Sequence, residues 1–169
     1  MSNLTRKIIA ASSSDELFAL LGKELEQRVR AKRGSPEFIA QIRSLPIGLR
    51  AMAATYELDV SLTMDDLGWH FGNWHNPDLA DETAHGLEEL GAVELAGIFR
   101  EAFRLAVRHW NDLGSKNWAQ WYHGSPLEKA VMPLNERAWA ILKGKKNGIF
   151  EYWVDYARNY PERIGAPSA

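Results

Sequence analysis

Two Asp–His pairs are the residues of this sequence best suited to proton transfer. Asp66 stands four residues before His70, and Asp81 stands four residues before His85. On a helix this spacing places a carboxylate beside an imidazole and can orient a general base, although it is also typical of a surface ion pair. Neither pair is accompanied by a nucleophile or an oxyanion motif. The sequence therefore favours a protein that is not an enzyme, and we predict no catalytic residue.

Metal and cofactor motifs are missing from the sequence. His70 and His75 are five residues apart, which splays them on a helix, and the chain has neither an H-E-x-x-H motif nor a cysteine. The glycines and lysines of residues 144–148 lack the spacing of a phosphate-binding loop. We therefore predict no metal site and no cofactor.

Charge is distributed unevenly along the chain. Residues 57–101 contain eleven Asp and Glu but a single base, Arg100, whereas the whole chain has 22 acids and 20 bases. The net charge of −2 therefore conceals an acidic centre between basic flanks, and such asymmetry bears on partners rather than on fold. We predict an acidic interaction surface for a basic protein partner and no direct binding of nucleic acid. Its expected residues are Asp65, Asp66, Asp78, Asp81, Glu82, Glu88 and Glu89.

Three of these acids are expected to form one exposed stripe on a helix. Glu82 and Glu89 follow Asp78 by four and eleven residues, which are helical intervals. An ordinary solvated helix face is the simpler interpretation of such a stripe, but the stripe is also the feature of the sequence best suited to meet a basic partner.

Aromatic side chains are concentrated near a stretch rich in glycine and proline, residues 111–133. Such side chains can line a ligand pocket, because they combine large contact areas with polar tips, or they can pack as core beneath a loop. The pocket hypothesis adds His109 or His123 as a polar group. Its expected lining residues are Trp110, Trp118, Trp121, Tyr122 and His123.

The elements that position these residues have a helical period throughout. After a lead-in over residues 1–12, Ser13 and Glu16 form a capping box that predicts a helix ending near Gly34. Ser35–Pro36 and then Pro46 predict two further helix starts.

The acidic segment is expected to contain three helices. Thr63 with Asp66 predicts one start by capping-box spacing, and Asn76 with Pro77 predicts the next. A helix from Ala92 to about His109 has the widest apolar face of the chain, so Phe99 and Phe103 are expected in the core.

The fold class predicted from these elements is all-α, a bundle of about seven helices without a sheet. A length of 169 residues suits a single domain, 1–169, with a helical extension over 13–44. No apolar run is long enough for a signal peptide or a membrane span. We expect a cytoplasmic protein, and the sequence does not specify its oligomeric state.

The central part of the chain carries a further signal. It includes Leu45–Pro46 at a helix entry, the aromatic stretch 67–73 and the helix 84–90 with its turn at Gly91. With the closing helix over 141–164, these parts resemble domain of unknown function 4375, the family that includes a bacterial DNA-mimic protein. The resemblance covers about residues 45–164. It implies a bacterial α-helical protein and, through one member, an acidic surface that imitates DNA phosphates.

One departure from that family concerns a glycine run. Where the family has Asn-Asn-Gly-Gly-Phe, this chain has Thr-Met-Asp-Asp-Leu over residues 63–67, so a site that depends on those glycines is not transferred. The leading hypothesis is a non-enzymatic protein-interaction module that uses its acidic helical face as a DNA-mimic-like regulator. The alternative is a small-ligand-binding protein or enzyme that uses the aromatic cluster.

Overall fold

The protein is all-helical in the computed structural model, which describes residues 4–165. This range contains eleven α-helices, a terminal 3-10 helix, Pro161–Ile164, and no strand. The helices are α1 Arg6–Ala11, α2 Ser14–Arg28, α3 Pro36–Arg43, α4 Ile47–Met64, α5 Leu67–Asn73, α6 Pro77–Glu89, α7 Val93–Val107, α8 Trp110–Leu113, α9 Trp118–Tyr122, α10 Pro126–Leu142 and α11 Phe150–Asn159. The predicted fold class is confirmed, with more helices than the seven expected.

Several helix starts were predicted correctly because capping is local chemistry. The Ser13 hydroxyl accepts the Glu16 N–H while the Glu16 carboxylate accepts the Ser13 N–H, so the capping box of α2 is complete. The Ser35 hydroxyl caps α3 by accepting the Phe38 N–H at 3.1 Å, with Pro36 at the first helical position. Asn76 caps α6 by accepting the Leu79 N–H at 3.1 Å.

Other boundaries were predicted wrongly. Residues 6–11 form a helix rather than a lead-in, and α2 ends at Arg28 rather than near Gly34. Thr63 lies inside α4, and the cap of α5 is Asp66, whose side chain accepts the Trp69 N–H at 2.8 Å. The stretch 111–133 was expected to be mainly a loop, but its last part belongs to α10, and Pro133 lies inside this helix, where packing against α7 and α5 outweighs the low helix propensity of proline.

Helix α4 occupies the centre of the fold and packs most extensively against α6. A Cβ atom at Gly86 would lie 2.9 Å from the Ala51 carbonyl oxygen, so only glycine permits the two backbones to approach this closely. The Thr83 hydroxyl donates to the Ala54 carbonyl oxygen at 2.8 Å, which joins the helices at their crossing. Gly86 and Thr83 therefore fix the position of α6 against α4.

The predicted core helix α7 packs against α6, α10 and α5. Phe99 is completely buried and lies near Phe71, with ring centroids 5.2 Å apart. Phe103, which was expected to be equally buried, is only half-buried and packs on the edge of the core.

The helices that precede residue 43 cover one side of this core. Helix α2 packs against α4 and α11, and α3 packs against α4. In the connection between α2 and α3, the Arg33 guanidinium lies over the Tyr56 ring at 3.9 Å and donates to Glu57 Oε1 at 2.8 Å. This contact fixes the connection to the surface of α4.

Candidate functional site

The exposed edge of α6 carries most of the predicted acidic surface that remains accessible. It consists of Asp78, Asp81, His85 and Glu88, which we call the α6 edge. These side chains follow one another at intervals of three and four residues, so they share one side of the helix. Asp81 and His85 are both about 60% exposed, with His85 Nδ1 3.4 Å from Asp81 Oδ2, so they form a surface pair when His85 is protonated.

Glu82 belongs to the predicted surface, but the structure places it in the interior. Its side chain is only 3% exposed and is held by two arginines that belong to the sequence before α6. Arg43 Nε donates to Oε1 at 2.6 Å, and Arg50 donates to Oε2 at 2.7 Å and to Oε1 at 2.8 Å. The prediction that Glu82 is exposed is therefore wrong.

The arginine contacts also determine the ionisation of Glu82. Burial by itself would raise the pKa of this carboxyl group, but the hydrogen bonds from Arg50 and Arg43 outweigh burial and leave the pKa below its usual value. Arg43 also binds Asp78, which lies one helical turn before Glu82, because its Nη2 atom donates to Asp78 Oδ1 at 3.1 Å. Glu82 thus acts as a charged structural link between α6, α3 and α4.

Glu89 also departs from the predicted stripe. It forms an ion pair with Arg163, whose Nη1 lies 2.8 Å from Oε1, and accepts a hydrogen bond from the Tyr156 hydroxyl, and its side chain is largely covered. Burial raises the pKa of Tyr156, and the neighbouring Glu89 raises it further, so the phenol stays protonated and acts as the donor. With Glu82 and Glu89 both engaged inside the protein, the stripe Asp78–Glu82–Glu89 does not exist as an exposed feature.

Much of the acidic segment is neutralised by arginine in the folded protein. Six of its eleven acids form ion pairs with arginine side chains, and all but one of these arginines lie outside residues 57–101. The paired acids are Glu57, Asp78, Glu82, Glu88, Glu89 and Glu101, and their partners are Arg33, Arg43, Arg50, Arg100, Arg137 and Arg163. Acids and bases that are separated along the sequence are therefore close together in the folded protein, and the acidic segment is much less strongly charged there than its sequence indicates.

The two acids before α5 have different environments. Asp65 is exposed and follows the last residue of α4. Asp66 accepts the Tyr122 hydroxyl through both carboxylate oxygens at 3.0 Å while it caps α5. Burial raises the pKa of Tyr122, and the adjacent Asp66 carboxylate adds to this effect. Asp66 is therefore a structural group, and only Asp65 of this pair is free to meet a partner.

The Asp66 and His70 side chains, whose spacing could have placed a carboxylate beside an imidazole, do not pair with each other. His70 is buried, and its Nδ1 atom lies 3.0 Å from the Ser61 hydroxyl, while Asp66 bonds to Tyr122 and the backbone of α5. Burial lowers the pKa of His70 to about 3, which keeps the imidazole neutral near pH 7. A neutral, enclosed imidazole supports the core and has no access to a substrate.

The aromatic cluster packs onto α5 through two glycines. A Cβ atom at Gly72 would lie 2.3 Å from the Trp118 ring, and one at Gly68 would lie 2.2 Å from the Tyr122 hydroxyl. Tyr122 is completely buried. These rings therefore occupy space that a ligand would otherwise fill.

The remaining residues of the predicted pocket each contact a different neighbouring residue. Trp110 stacks on His75 with ring centroids 4.1 Å apart, and Trp121 lies near His109 at 5.6 Å. His123 is exposed, and its Nδ1 atom lies 3.6 Å from a Glu128 oxygen. Five surface cavities in the described part of the chain are lined by other residues.

Beside the α6 edge, a groove of about 400 Å³ separates the start of α4 from α6. Its walls include Arg50, His85 and Glu88 together with Ile47, an apolar side chain that is 46% exposed. The sequence pattern gave no signal for this groove or for the arginines of the Glu82 link, because the pairs join residues 32 to 39 positions apart. The α6 edge and this groove together form the candidate site.

Metal-binding clusters and membrane-spanning helices are both absent from residues 4–165. No group of three or more His, Asp or Glu side chains in this range is arranged to hold a metal ion. Of the helices in the same range, none combines the length and apolar character needed to cross a membrane.

Comparison with known proteins supports a family assignment for this arrangement. A family model described as DMP19-like protein, a DNA-mimic protein family, matches residues 43–160. No curated protein and no solved structure matches the chain. The match begins at Arg43, which binds Glu82, and includes α4 to α11, so it contains the whole candidate site. The chain therefore belongs to the DMP19-like protein family.

Proposed function

We propose that this protein is a non-enzymatic interaction module whose α6 edge binds the basic groove of a DNA-binding protein, as a DNA-mimic-like regulator. The observation that carries the proposal is the row of carboxylates Asp78, Asp81 and Glu88 on one exposed side of a rigidly held helix. Arg43 and Arg100 pair with the first and the last of them, so Asp81 is the member of the row without an arginine partner. Membership of a DNA-mimic family supports the same activity. The resemblance to domain of unknown function 4375 stays a prediction beside it.

The geometry of the α6 edge limits how closely it can imitate DNA. At about 1.5 Å per residue, Asp78 and Asp81 are about 4.5 Å apart along the helix axis, and Asp81 and Glu88 are about 10.5 Å apart. Duplex DNA carries about one charge per 1.7 Å of its axis, which is several times denser. A partner would therefore respond to the summed field of a few carboxylates, so we expect salt to weaken binding.

Rigid placement of the α6 edge favours binding over solvation alone. Arg43 and Arg50 fix α6 through Glu82, and Gly86 fixes it through close contact with α4. A preorganised row of charges loses less conformational entropy on association than a flexible acidic tail does. The adjoining groove offers the exposed Ile47 as an apolar contact next to the charges.

The alternative function, a small-ligand-binding protein or enzyme built on the aromatic cluster, has weaker support. The Trp118 ring and the Tyr122 side chain fill the space above Gly72 and Gly68. A pocket at this place would require those rings to move away from α5.

The test uses a variant that neutralises the α6 edge without changing its shape. In Asp78→Asn, Asp81→Asn, Glu88→Gln, three carboxylates become amides. The matched control removes the same number of exposed charges elsewhere, in Asp15→Asn, Glu101→Gln, Asp155→Asn; Asp15 and Glu101 pair with Lys146 and Arg137, as Asp78 and Glu88 pair with Arg43 and Arg100. Each immobilised protein is exposed to an extract of the source cells at low salt, and retained proteins are challenged with duplex DNA.

We expect the parent and the control to retain a DNA-binding protein that duplex DNA releases, and the α6-edge variant to lose it. The parent by itself should not shift duplex DNA in a gel. Equal retention by the α6-edge variant at low salt, or retention that duplex DNA does not affect, would show that the proposal is wrong.

A further inference from the structure

A small cavity lies where α2 and α3 pack against α4 and α11. Its volume is about 100 Å³, and its walls include the rings of Phe18, Phe38, Tyr56 and Trp153. The Phe18 and Tyr56 ring centroids lie 5.9 and 6.2 Å from that of Trp153. Leu25, Val29 and Arg33 complete the walls, so aromatic rings supply only part of the lining.

The cavity is built jointly by two parts of the chain. Phe18, Gly22 and Phe38 precede residue 43, where the family match begins, while Tyr56 and Trp153 lie inside the match. Ligand sites occur preferentially where separate structural parts meet. The cavity thus depends on the N-terminal helices, which the family match does not include.

The volume suits a small planar molecule. It exceeds the roughly 10–15 Å³ that one water molecule needs and approaches the roughly 150 Å³ of an apolar cavity that admits benzene. Gly22 in α2 lines the cavity, and a Cβ atom built on it would meet no atom within 4 Å. A larger residue at this position would project into open space, so glycine keeps the cavity available.

The charges around the cavity favour a neutral ligand. Arg33 lines it, but its guanidinium already pairs with Glu57 at 2.8 Å and covers the Tyr56 ring. Glu26, a second lining residue, is exposed and would repel an anion. The Tyr56 hydroxyl forms no hydrogen bond with another described residue, so it can bind a polar group on an otherwise apolar ring.

We propose that this cavity binds a small neutral aromatic molecule of one or two rings, of the size of phenol or indole, against the accessible sides of Phe18 and Tyr56. Its rings supply stacking and edge contacts, and the Tyr56 hydroxyl and the free N–H groups of Arg33 bind a polar substituent. This binding does not depend on the α6 edge, and it adds a ligand site to a protein-interaction module.

The experiment titrates indole into the full-length protein and follows amide chemical shifts by NMR. Gly22→Leu fills the cavity from α2, and Gly97→Leu is its matched control, because Gly97 is also a helical glycine at which an added Cβ would meet nothing within 4 Å. Both changes raise helix propensity, so both variants should fold. We expect saturable binding with a Kd below about 1 mM, weakened at least tenfold by Gly22→Leu and unchanged by Gly97→Leu.

A readout on the parent protein keeps the test independent of variant folding. Nuclear Overhauser contacts should connect indole protons with Phe18 or Tyr56. Phenol should bind in the same place, whereas benzoate and benzylamine should bind at least tenfold more weakly. The proposal is overturned if indole does not saturate the protein, if its contacts lie elsewhere, if Gly22→Leu binds it as tightly as the parent, or if a charged ring binds as well as indole.

Discussion

Replacement of Glu82 by glutamine tests whether the buried carboxylate holds α6 in place. The amide has the same shape, but it presents an NH₂ group where one carboxylate oxygen accepts from an arginine N–H. One of the three hydrogen bonds from Arg43 and Arg50 is therefore lost, and the other two lose their assistance from negative charge. A hydrogen bond to a charged group contributes about 1.5–3 kcal/mol, and a neutral one about half as much.

Solvent reduces the cost of this substitution. The Arg43 and Arg50 side chains are 43% and 38% exposed, so water can hydrate them after the carboxylate is removed. We therefore expect Glu82→Gln to lower the free energy of unfolding by about 2–3 kcal/mol, below the roughly 3–5 kcal/mol typical when a fully buried pair is broken. Arg50→Met should remove much of the same free energy, and the double variant should be less destabilised than the sum of the two.

Urea denaturation followed by circular dichroism measures these differences. The denaturant slope should stay constant while the midpoint falls, because the native fold is retained. Glu88→Gln is the control, since its exposed pair with Arg100 belongs to a class worth about 0–1 kcal/mol. If Glu82→Gln costs no more than Glu88→Gln, the Glu82 link does not stabilise α6.

Three further outcomes are expected. Phe99→Ala should lower the free energy of unfolding by about 3–5 kcal/mol, and Phe103→Ala should cost clearly less because its ring is half-buried; equal losses in urea denaturation would contradict the packing described. The pKa of His70 is about 3 in the folded protein and 6.5 in a free side chain, so the unfolded state binds the proton first and this residue's contribution to stability, complete above pH 6.5, should be lost as the pH falls to 3. In that window the free energy of unfolding should fall by up to about 1.4 kcal/mol per pH unit. His70→Gln should make the free energy of unfolding less dependent on pH, as measured by urea denaturation at several pH values. Gly72→Ala should displace the Trp118 ring and reduce the near-ultraviolet circular dichroism signal, whereas an unchanged spectrum would show that the ring is not packed there.

The helical class and several helix starts were predictable from the sequence because their causes are local. A cap joins residues three positions apart, as in Ser13 with Glu16 and Asn76 with Leu79. The cap of α5 was misassigned because Thr63 and Asp66 both satisfy the residue preference, and only the continuation of α4 to Met64 decides between them. The end of the stretch 111–133 was misassigned for a similar reason, since tertiary packing keeps Pro133 inside α10.

The acidic centre was evident from the sequence, but its accessibility was decided by tertiary structure. Electrostatic pairing depends on distance in space, and Glu82 meets arginines 32 and 39 positions away, which no local pattern indicates. In the folded protein Asp78 and Asp81 remain exposed on the outer side of α6, whereas Glu82 is an interior link. Composition thus determined how many carboxylates the protein has, and the packing of α6 on α4 determined which of them a partner can reach.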